Sequence, residues 1–264
     1  MAVISLVSAK AAPGATTAAV ALAVMWPAPV VLVGADPAGD DIIGGYLGPW
    51  IARDWVQPAK GIVSFATATR HCGPEECGDL AAHTQLLPGA RNARVLLGVS
   101  EPAQITAVGP GGWQRLATTV AAAAGPGMTV DAIIDLGRFT PATPRALLEN
   151  ADVVLVAVRP QHRSVLASRP LIRLLRQLMP AERLGLAVVA AGERQAAEVA
   201  EVLQTPVGVC LPEDPLTARA ISDATTTGLR RTTPLIRAAT AAGTRLHDAL
   251  NRPVSQQYLI GART

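Results

Sequence analysis

The 264-residue sequence contains few aromatic residues, which make up 3% of the chain, and few charged residues, which make up 16%. Half of the residues are hydrophobic, so the composition excludes a disordered chain and supplies enough apolar surface for a sizeable core. With so few aromatics, that core must be filled mainly by Ala, Val and Leu. A chain of this length suits one large α/β domain, or at most two small ones, and we expect residues 1–264 to form a single domain.

Cysteine and lysine are scarce as well. The three cysteines, Cys72, Cys77 and Cys210, provide no disulfide framework, which is typical of a protein in a reducing cytoplasm, where we expect this one. Of the 23 Lys and Arg residues only two are lysines, at positions 10 and 60. The net charge of +3 is too small to indicate a nucleic-acid or membrane partner by itself.

No charged residue occurs between Lys10 and Asp36, and most of this run is apolar. A signal peptide or a membrane span is therefore the first alternative explanation. The run is interrupted by residues that a spanning helix disfavours: Pro13, Gly14, Pro27, Pro29 and Gly34. The residues before Lys10 are apolar, where a signal peptide would carry positive charge. We expect neither export nor membrane insertion.

Short apolar runs alternate with longer segments rich in Ala, Leu and Arg. The predicted strands are Val3–Val7, Val30–Val33, Arg94–Val99, Ala132–Asp135, Val153–Val158, Leu186–Ala190 and Val207–Cys210. The predicted helices are Thr16–Met25, Trp113–Ala124, Pro144–Asn150, Ser164–Leu178, Arg194–Leu203 and Pro234–Leu250. This alternation predicts an α/β fold with a doubly wound, mostly parallel sheet and helices on both faces. Ligands of such sheets bind at the carboxyl ends of the strands.

The loop between the first predicted strand and helix consists mostly of small residues. Such a loop lets backbone N–H groups surround a phosphate, and the N-terminus of the following helix adds partial positive charge. The P-loop pattern is G-x-x-x-x-G-K-[ST]. Gly14 and Thr16 occupy its second glycine and hydroxyl positions, whereas Ala9 replaces the first glycine and Ala15 replaces the lysine.

Two other predicted strands end near an aspartate. Asp36 follows the second strand in the segment GADPAGD, and Asp135 ends a strand that begins near Asp131 in VDAIIDLGR. A carboxylate at such a place can orient an attacking or magnesium-bound water during phosphoryl transfer. An Asp-Pro turn at Asp36 has a purely structural explanation as well.

In this order, the loop and the two acidic strand ends resemble those of the ParA/MinD ATPases, whose deviant P-loop reads approximately K-G-G-x-G-K-[ST]-[ST]. Lys10 matches the signature lysine of that pattern, and Gly14, Thr16 and Thr17 match as well. By this resemblance, the nucleotide-binding loop comprises Lys10, Ala11, Ala12, Pro13, Gly14, Ala15, Thr16 and Thr17.

The resemblance implies ATP and Mg²⁺ as cofactors. Thr16 and Asp135 would then hold the metal, while Asp36 and Lys10 would serve hydrolysis. In the family, the signature lysine reaches the phosphates of the partner subunit in an ATP-bridged dimer. We therefore expect a homodimer and a protein partner.

The resemblance extends along the chain, with departures. The segment LPEDPLTARA is similar to one that lies near the nucleotide base in the family, which implies a binding role for Pro212 and Asp214. Gly34 replaces the first Asp of the family's D-x-D turn. Ala191 and Gly192 stand where many members carry an adenine-binding Asn, so the specificity for adenine stays open.

The alanine at position 15 bears on catalysis. A loop lysine neutralises charge on the β- and γ-phosphates, and loss of such a group costs on the order of a thousandfold in rate. We expect a nucleotide-binding protein with slow or impaired hydrolysis. The family implies spatial organisation: chromosome or plasmid partitioning, septum placement, or positioning of polar machinery. The alternative is a pseudo-ATPase scaffold that binds partners without nucleotide.

Two surface functions are weaker alternatives. Six arginines lie between Arg159 and Arg183, which would suit non-specific contacts with DNA phosphates, although an ordinary solvated face explains them too. The predicted C-terminal helix has an apolar stripe that would suit a membrane surface. Packing of that helix on the sheet explains the stripe more simply, so we expect no membrane binding.

The sequence gives little support for two other kinds of site, a zinc site and a dinucleotide site. A zinc site would use His71, Cys72, Cys77 and His83, but the spacing of the cysteines is unusual for zinc. A dinucleotide site would use Asp36 as the ribose-binding acid. The first loop has a single glycine, Gly14, where G-x-G-x-x-G requires three.

Overall fold

The computed structural model describes residues 2–10, 14–73, 76, 78–123, 130–225 and 229–251. Within these residues one sheet is formed by strands β1 Val3–Ser8, β2 Val30–Gly34, β3 Gln85–Leu86, β4 Ala93–Leu96, β5 Asp131–Arg138, β6 Val153–Val158, β7 Leu184–Val189 and β8 Val207–Leu211. The strand order is β3-β4-β2-β5-β1-β6-β7-β8, and all neighbours are parallel except β3 and β4. The predicted fold class is confirmed.

The connections between the strands are mainly helical. The helices are α1 Ala15–Met25, α2 Asp41–Gly44, α3 Gly48–Ile51, α4 Ile62–Ala68, α5 Leu80–His83, α6 Pro102–Ala122, α7 Arg145–Glu149, α8 His162–Leu178, α9 Glu193–Leu203, α10 Pro215–Ser222 and α11 Pro234–Leu250, with a 3₁₀ turn at Ala181–Arg183. None of the helices in these described stretches is long and apolar enough to cross a membrane.

Alternate residues of each strand pack on opposite faces of the sheet, which gives two apolar layers. Val3 and Val7 of β1 pack with α4, α6, α7, α8 and α9, whereas Ile4 and Leu6 pack with α1, α10 and α11. The buried stripe of α11, which includes Leu235 and Ile236, belongs to the second layer. Packing on the sheet therefore accounts for the apolar stripe of this helix.

The uncharged run near the N-terminus forms β1, α1 and β2. Eight of the 11 residues of α1 are buried, because this helix lies between the sheet and α11. Its side chains are mainly Ala and Val, whose small size lets both neighbours approach closely. A helix that is buried on all sides is apolar all round, which explains the lack of charge without a membrane.

At a few places the observed helices and strands differ from the predicted ones. The helix predicted at Trp113 is the second half of α6, which begins at Pro102 and changes direction at Gly109, where φ is 64° and ψ is 170°. Gly109 and Pro110 obscure the helical pattern in the sequence. The antiparallel strand β3 has only two residues and was not among the predicted strands.

Asp131 lies at the amino end of β5, away from the carboxyl edge of the sheet. Its Oδ1 accepts a hydrogen bond from the backbone N–H of Ala2 at 2.7 Å, and its Oδ2 accepts one from Trp26 Nε1 at 2.7 Å. His247 Nδ1 of α11 lies 2.8 Å from the same Oδ2. This carboxylate therefore links β1, the end of α1 and α11.

Candidate functional site

The loop after β1 leads into α1 through a glycine that the backbone requires. Gly14 has φ 95°, in the left-handed region, and a Cβ on it would lie 3.0 Å from Val189 Cγ1. Because Gly14 has no side chain, it does not cap the N–H groups of the first turn of α1. These donors, with the partial positive charge of the helix end, can bind an anion.

Asp135 lies beneath the start of α1. Its side chain is buried and accepts hydrogen bonds from the Thr16 hydroxyl and, at 3.0 Å, from the backbone N–H of Gly137. Burial raises the pKa of Asp135 to about 7, although both hydrogen bonds oppose the shift. Thr16 and Asp135, the predicted metal residues, are therefore in direct contact.

Asp36 occupies the turn after β2, beside the loop after β5. Its carboxylate accepts hydrogen bonds from the N–H groups of Ala38, at 2.7 Å, and Arg138. Burial raises the pKa of Asp36. Gly137 has φ 55°, and a Cβ there would overlap with the Asp36 carboxylate. The absence of a side chain at position 137 thus lets the turn after β2 approach the end of β5.

Asp40 is a site residue that no motif in the sequence indicates. Its Oδ1 accepts a hydrogen bond from Ile42 N at 3.0 Å and its Oδ2 accepts one from Gly98 N at 2.7 Å. Burial raises the pKa of Asp40 to about 6. A Cβ on Gly34 would overlap with this carboxylate. The space that a side chain at position 34 would need is therefore filled by Asp40.

These residues surround a cavity of about 930 Å³ at the carboxyl edge of the sheet. Its walls come from residues 14–17 at the start of α1, from the loop and helix within 36–46, from 137–138 at the end of β5, from Arg159 after β6 and from α10 within 215–222. The volume is within the usual range for a small-molecule site.

Charge is divided across the cavity. Asp36, Asp40 and Asp135 lie on the side of β2 and β5. Repulsion adds to the effect of burial on two of their pKa values: Asp41 and Asp36 raise that of Asp40, and Asp40 and Asp36 raise that of Asp135. Positive side chains are also present, since Arg138, Arg159 and Arg219 line the same cavity. The carboxylates favour a cation and the arginines an anion, as required for a metal bound together with phosphates.

The predicted site residues are partly brought together. Gly14, Ala15, Thr16, Thr17 and Asp36 line the cavity, and Asp135 contacts Thr16. Lys10 is exposed at the end of the described part of the loop. Ala11, Ala12 and Pro13 lie outside the described residues.

The segment predicted to lie near a nucleotide base leads into α10, and residues of α10 line the cavity. Asp214 caps α10, since its side chain accepts hydrogen bonds from Thr217 N at 3.2 Å and from Thr217 Oγ1 at 2.7 Å. Pro215 and Ala218 of this helix line the cavity, and Pro212 precedes it. The roles assigned to Pro212 and Asp214 stay predictions.

The six arginines between Arg159 and Arg183 do not form one patch. Arg159 lines the cavity, Arg176 donates to the carbonyls of Leu203 and Gln204 at the end of α9, and Arg183 donates to backbone carbonyls around α7. Arg163, Arg169 and Arg173 are exposed on α8. The basic surface available to DNA is therefore smaller than the sequence suggests.

The histidines of the zinc alternative have other partners. His83 Nδ1 lies 2.9 Å from Ser64 Oγ, and its ring packs edge-on against Phe65 at 5.7 Å. His71 Nε2 accepts a hydrogen bond from Arg70. Cys77 lies outside the described residues, and among those described no group of three or more His, Cys, Asp or Glu side chains is arranged to hold a metal.

No family model matches the sequence, and no curated protein sequence matches it. Solved structures are similar in fold. A ParA family ATPase from Chlorobium tepidum TLS gives a TM-score of 0.71 at 16% identity, over 92% of this chain and 98% of that one. The MinC:MinD cell division protein complex of Aquifex aeolicus gives 0.70 at 16%, over 96% and 98%.

A putative plasmid partition protein from Borrelia burgdorferi B31, bound to AMPPNP, is also similar. Its TM-score is 0.67 at 15% identity, over 93% of this chain and 98% of that one. At such identities the similarity establishes the fold, which is that of the ParA/MinD-type P-loop proteins.

Proposed function

We propose that this protein binds ATP with Mg²⁺ in the cavity at the carboxyl edge of its sheet and acts as a slow nucleotide-dependent switch in spatial organisation. The observation that carries the proposal is that Gly14, Thr16 and Asp36 line one cavity, while Asp135 contacts Thr16 from beneath it. These residues lie at or just after the carboxyl ends of β1, β2 and β5, and each has the side chain, or the lack of one, that a phosphate and metal site needs.

The phosphates would be bound at the start of α1. The uncapped N–H groups that follow Gly14 supply donors, and Thr16 and Thr17 add hydroxyl groups at the cavity wall. The small side chain at Ala15 leaves the approach open. This loop would bind the phosphates through its backbone N–H groups and its hydroxyl groups, because Ala15 carries no charge.

Mg²⁺ would be held by the hydroxyl of Thr16 and, through water, by Asp135. Magnesium prefers oxygen ligands and keeps several waters when it binds together with phosphates, so two protein side chains suffice. The pKa values of Asp135 and Asp40 are raised mainly by burial, in spite of the hydrogen bonds that each carboxylate accepts. A cation beside them would stabilise their charged forms.

Hydrolysis is expected to be slow, since no lysine at position 15 stabilises the transition state. Asp36 lines the cavity and has the chemistry to orient an attacking water. A bound nucleotide with a long lifetime suits a timing or localisation switch. The biological role would be partitioning of chromosomes or plasmids, septum placement, or positioning of polar machinery.

The similar structures support a role of this kind. One is described as a complex of MinD with MinC in cell division, and another as a plasmid partition protein bound to AMPPNP. The second candidate, a scaffold that binds partners without nucleotide, rests on the alanine at position 15. The two candidates differ in whether nucleotide changes the oligomeric state.

Lys10 provides the test. This side chain is exposed beside the loop, where a second subunit can be reached. With AMPPNP and Mg²⁺ we expect wild-type protein to dimerise, and we expect Lys10→Ala to stay monomeric while it retains nucleotide affinity within about tenfold. Sedimentation velocity measures the dimer fraction, and Lys60→Ala is the matched control, since Lys60 is the only other lysine.

Equal dimerisation of wild type and Lys10→Ala would contradict the bridging role of Lys10. A wild-type protein whose oligomeric state is the same with AMPPNP, with ADP and without nucleotide would favour the scaffold.

A further inference from the structure

We propose that Arg159 takes the place of the missing P-loop lysine and that its guanidinium binds the phosphates of the nucleotide. The inference rests on the function proposed above, since it assigns a ligand-binding residue to the same cavity. Three observations carry it: the position of Arg159, its lack of partners, and the distribution of charge around the loop.

Arg159 stands at the carboxyl end of β6, directly beside the loop that follows β1. The two strands are parallel neighbours, and Ser8 is in register with Ala157, two residues before Arg159. The backbone of Arg159 is fixed, because its N–H donates to Ser164 Oγ at 3.0 Å and its carbonyl accepts from Gln161 N at 2.7 Å. The side chain lines the cavity together with Gly14 and Ala15.

Among the residues that the structure describes, the guanidinium of Arg159 has no partner. Its Nε is buried without a hydrogen bond, and no carboxylate in the described stretches forms an ion pair with it. Arg183 also has a buried Nε without a partner, but its terminal nitrogen donates to the carbonyls of Glu149 and Ala151. A buried donor on a charged group costs free energy unless a ligand satisfies it. Arg159 thus has donors available for an anion.

Arg159 lies on the side of the cavity opposite to its buried carboxylates. The acidic side chains Asp36, Asp40 and Asp135 lie on the β2 and β5 side of β1, whereas Arg159 lies on the β6 side. A phosphate at the start of α1 would have the metal on one side and the guanidinium on the other. Arginine binds phosphate through two parallel N–H donors, so it can replace a lysine in this task.

The other two arginines of the cavity fit the task less well. Arg138 is exposed, and it ends β5 on the acidic side of the site, where its backbone N–H donates to Asp36. Arg219 is exposed on α10, near the end of the cavity that is formed by residues 215–222. Neither has a buried nitrogen without a partner among the described residues.

The test is a titration of Mg²⁺–ADP and Mg²⁺–AMPPNP into wild type, Arg159→Ala, Arg159→Lys and Arg173→Ala. We expect Arg159→Ala to weaken binding of both nucleotides about 10- to 100-fold, as for a lost charge-assisted hydrogen bond, and Arg159→Lys to weaken it less. Arg173→Ala is the matched control, since Arg173 is exposed on α8 and lines a separate groove with Arg169 and Arg176. We expect its affinity to stay within about twofold.

A second substitution makes the assignment specific. Ala15→Lys returns the lysine to its place in the loop, and in the Arg159→Ala background we expect it to restore at least about tenfold of the lost affinity. In the wild-type background the same substitution is expected to add less, because two residues that bind the same phosphates are not independent. Thermal melting of each variant separates loss of fold from loss of ligand, and Arg159→Gln is used for the decision if Arg159→Ala unfolds.

The outcomes distinguish the two proposals. If a folded Arg159 variant binds nucleotide with the affinity of the wild type, this inference is overturned and the proposed function is left intact. Affinity lost in Arg159→Ala but unaffected by Ala15→Lys also overturns it, because the arginine then acts elsewhere than at the lysine's phosphates. Absence of nucleotide binding by the wild type overturns the proposed function and the inference together.

Discussion

Asp135→Asn is expected to stabilise the nucleotide-free protein at pH 8 and, at the same time, to remove its magnesium-dependent affinity for nucleotide. Asp135 is buried beside Asp36 and Asp40, and its pKa of about 7 means that at pH 8 the folded protein holds a buried charge at a cost. Asparagine keeps the shape and removes the charge. The gain is on the order of 2 kcal/mol in the free energy of unfolding.

The direction in which stability changes with pH follows from the number of protons bound by the folded and unfolded states. An aspartate whose pKa is raised by folding binds more protons in the folded than in the unfolded state, so stability falls as pH rises from its unfolded to its folded pKa. That window extends from about pH 4 to about pH 7 for Asp135 and to about pH 6 for Asp40, and Asp36 contributes in the same direction. We expect the pH dependence over this window to be smaller in Asp135→Asn.

Urea denaturation between pH 5 and pH 8 measures the first effect, and titration of nucleotide with and without Mg²⁺ measures the second. Asp41→Asn is the matched control, because Asp41 lines the same cavity but is exposed. An Asp135→Asn protein that is less stable than wild type at pH 8 would contradict the cost assigned to this charge. Unchanged affinity with Mg²⁺ would contradict its assignment to the metal.

Gly34→Asp should destabilise the protein strongly, although it restores the first aspartate of the turn found in the ParA/MinD family. Any Cβ at position 34 overlaps with the Asp40 carboxylate, and a second carboxylate there would add a buried like charge. The expected loss is about 3 kcal/mol or more in the free energy of unfolding. In this protein Asp40 occupies the space that a side chain at position 34 would need.

The double variant Gly34→Asp/Asp40→Ala is the sharper test, since it removes the overlap. We expect it to recover at least about 1 kcal/mol relative to Gly34→Asp, in spite of the two hydrogen bonds that Asp40 gives up at Ile42 and Gly98. Gly192→Asp is the control, because a Cβ there meets no atom within 4 Å. Gly34→Asp with the stability of wild type, by urea denaturation, would refute the packing argument.

The sequence predicted the sheet well because its strands are buried on both faces and appear as continuous apolar runs. Val153–Val158 has the predicted bounds, and so does α11. The failures have local causes. The strand β3 is too short to show a pattern, and α10 is an eight-residue helix whose start depends on the cap at Asp214.

The candidate site was predictable where its residues are adjacent in sequence or end a strand. Gly14, Thr16 and Asp36 are of this kind. Asp40 was not, because its placement depends on the empty space at Gly34 and on the N–H of Gly98 from the loop after β4. Arg159 was grouped with five other arginines, since nothing in the sequence distinguishes an arginine that enters the cavity from one that stays on the surface.

Calorimetric titration of Mg²⁺–ATP and Mg²⁺–ADP into the purified protein tests whether the cavity binds nucleotide, with Asp135→Ala as the control variant. Saturable binding of about one nucleotide per chain, weakened by removal of Mg²⁺ and by Asp135→Ala, is the predicted result. No detectable binding at roughly millimolar nucleotide, where a site of even modest affinity would be occupied, would contradict the claim that this cavity is a nucleotide site.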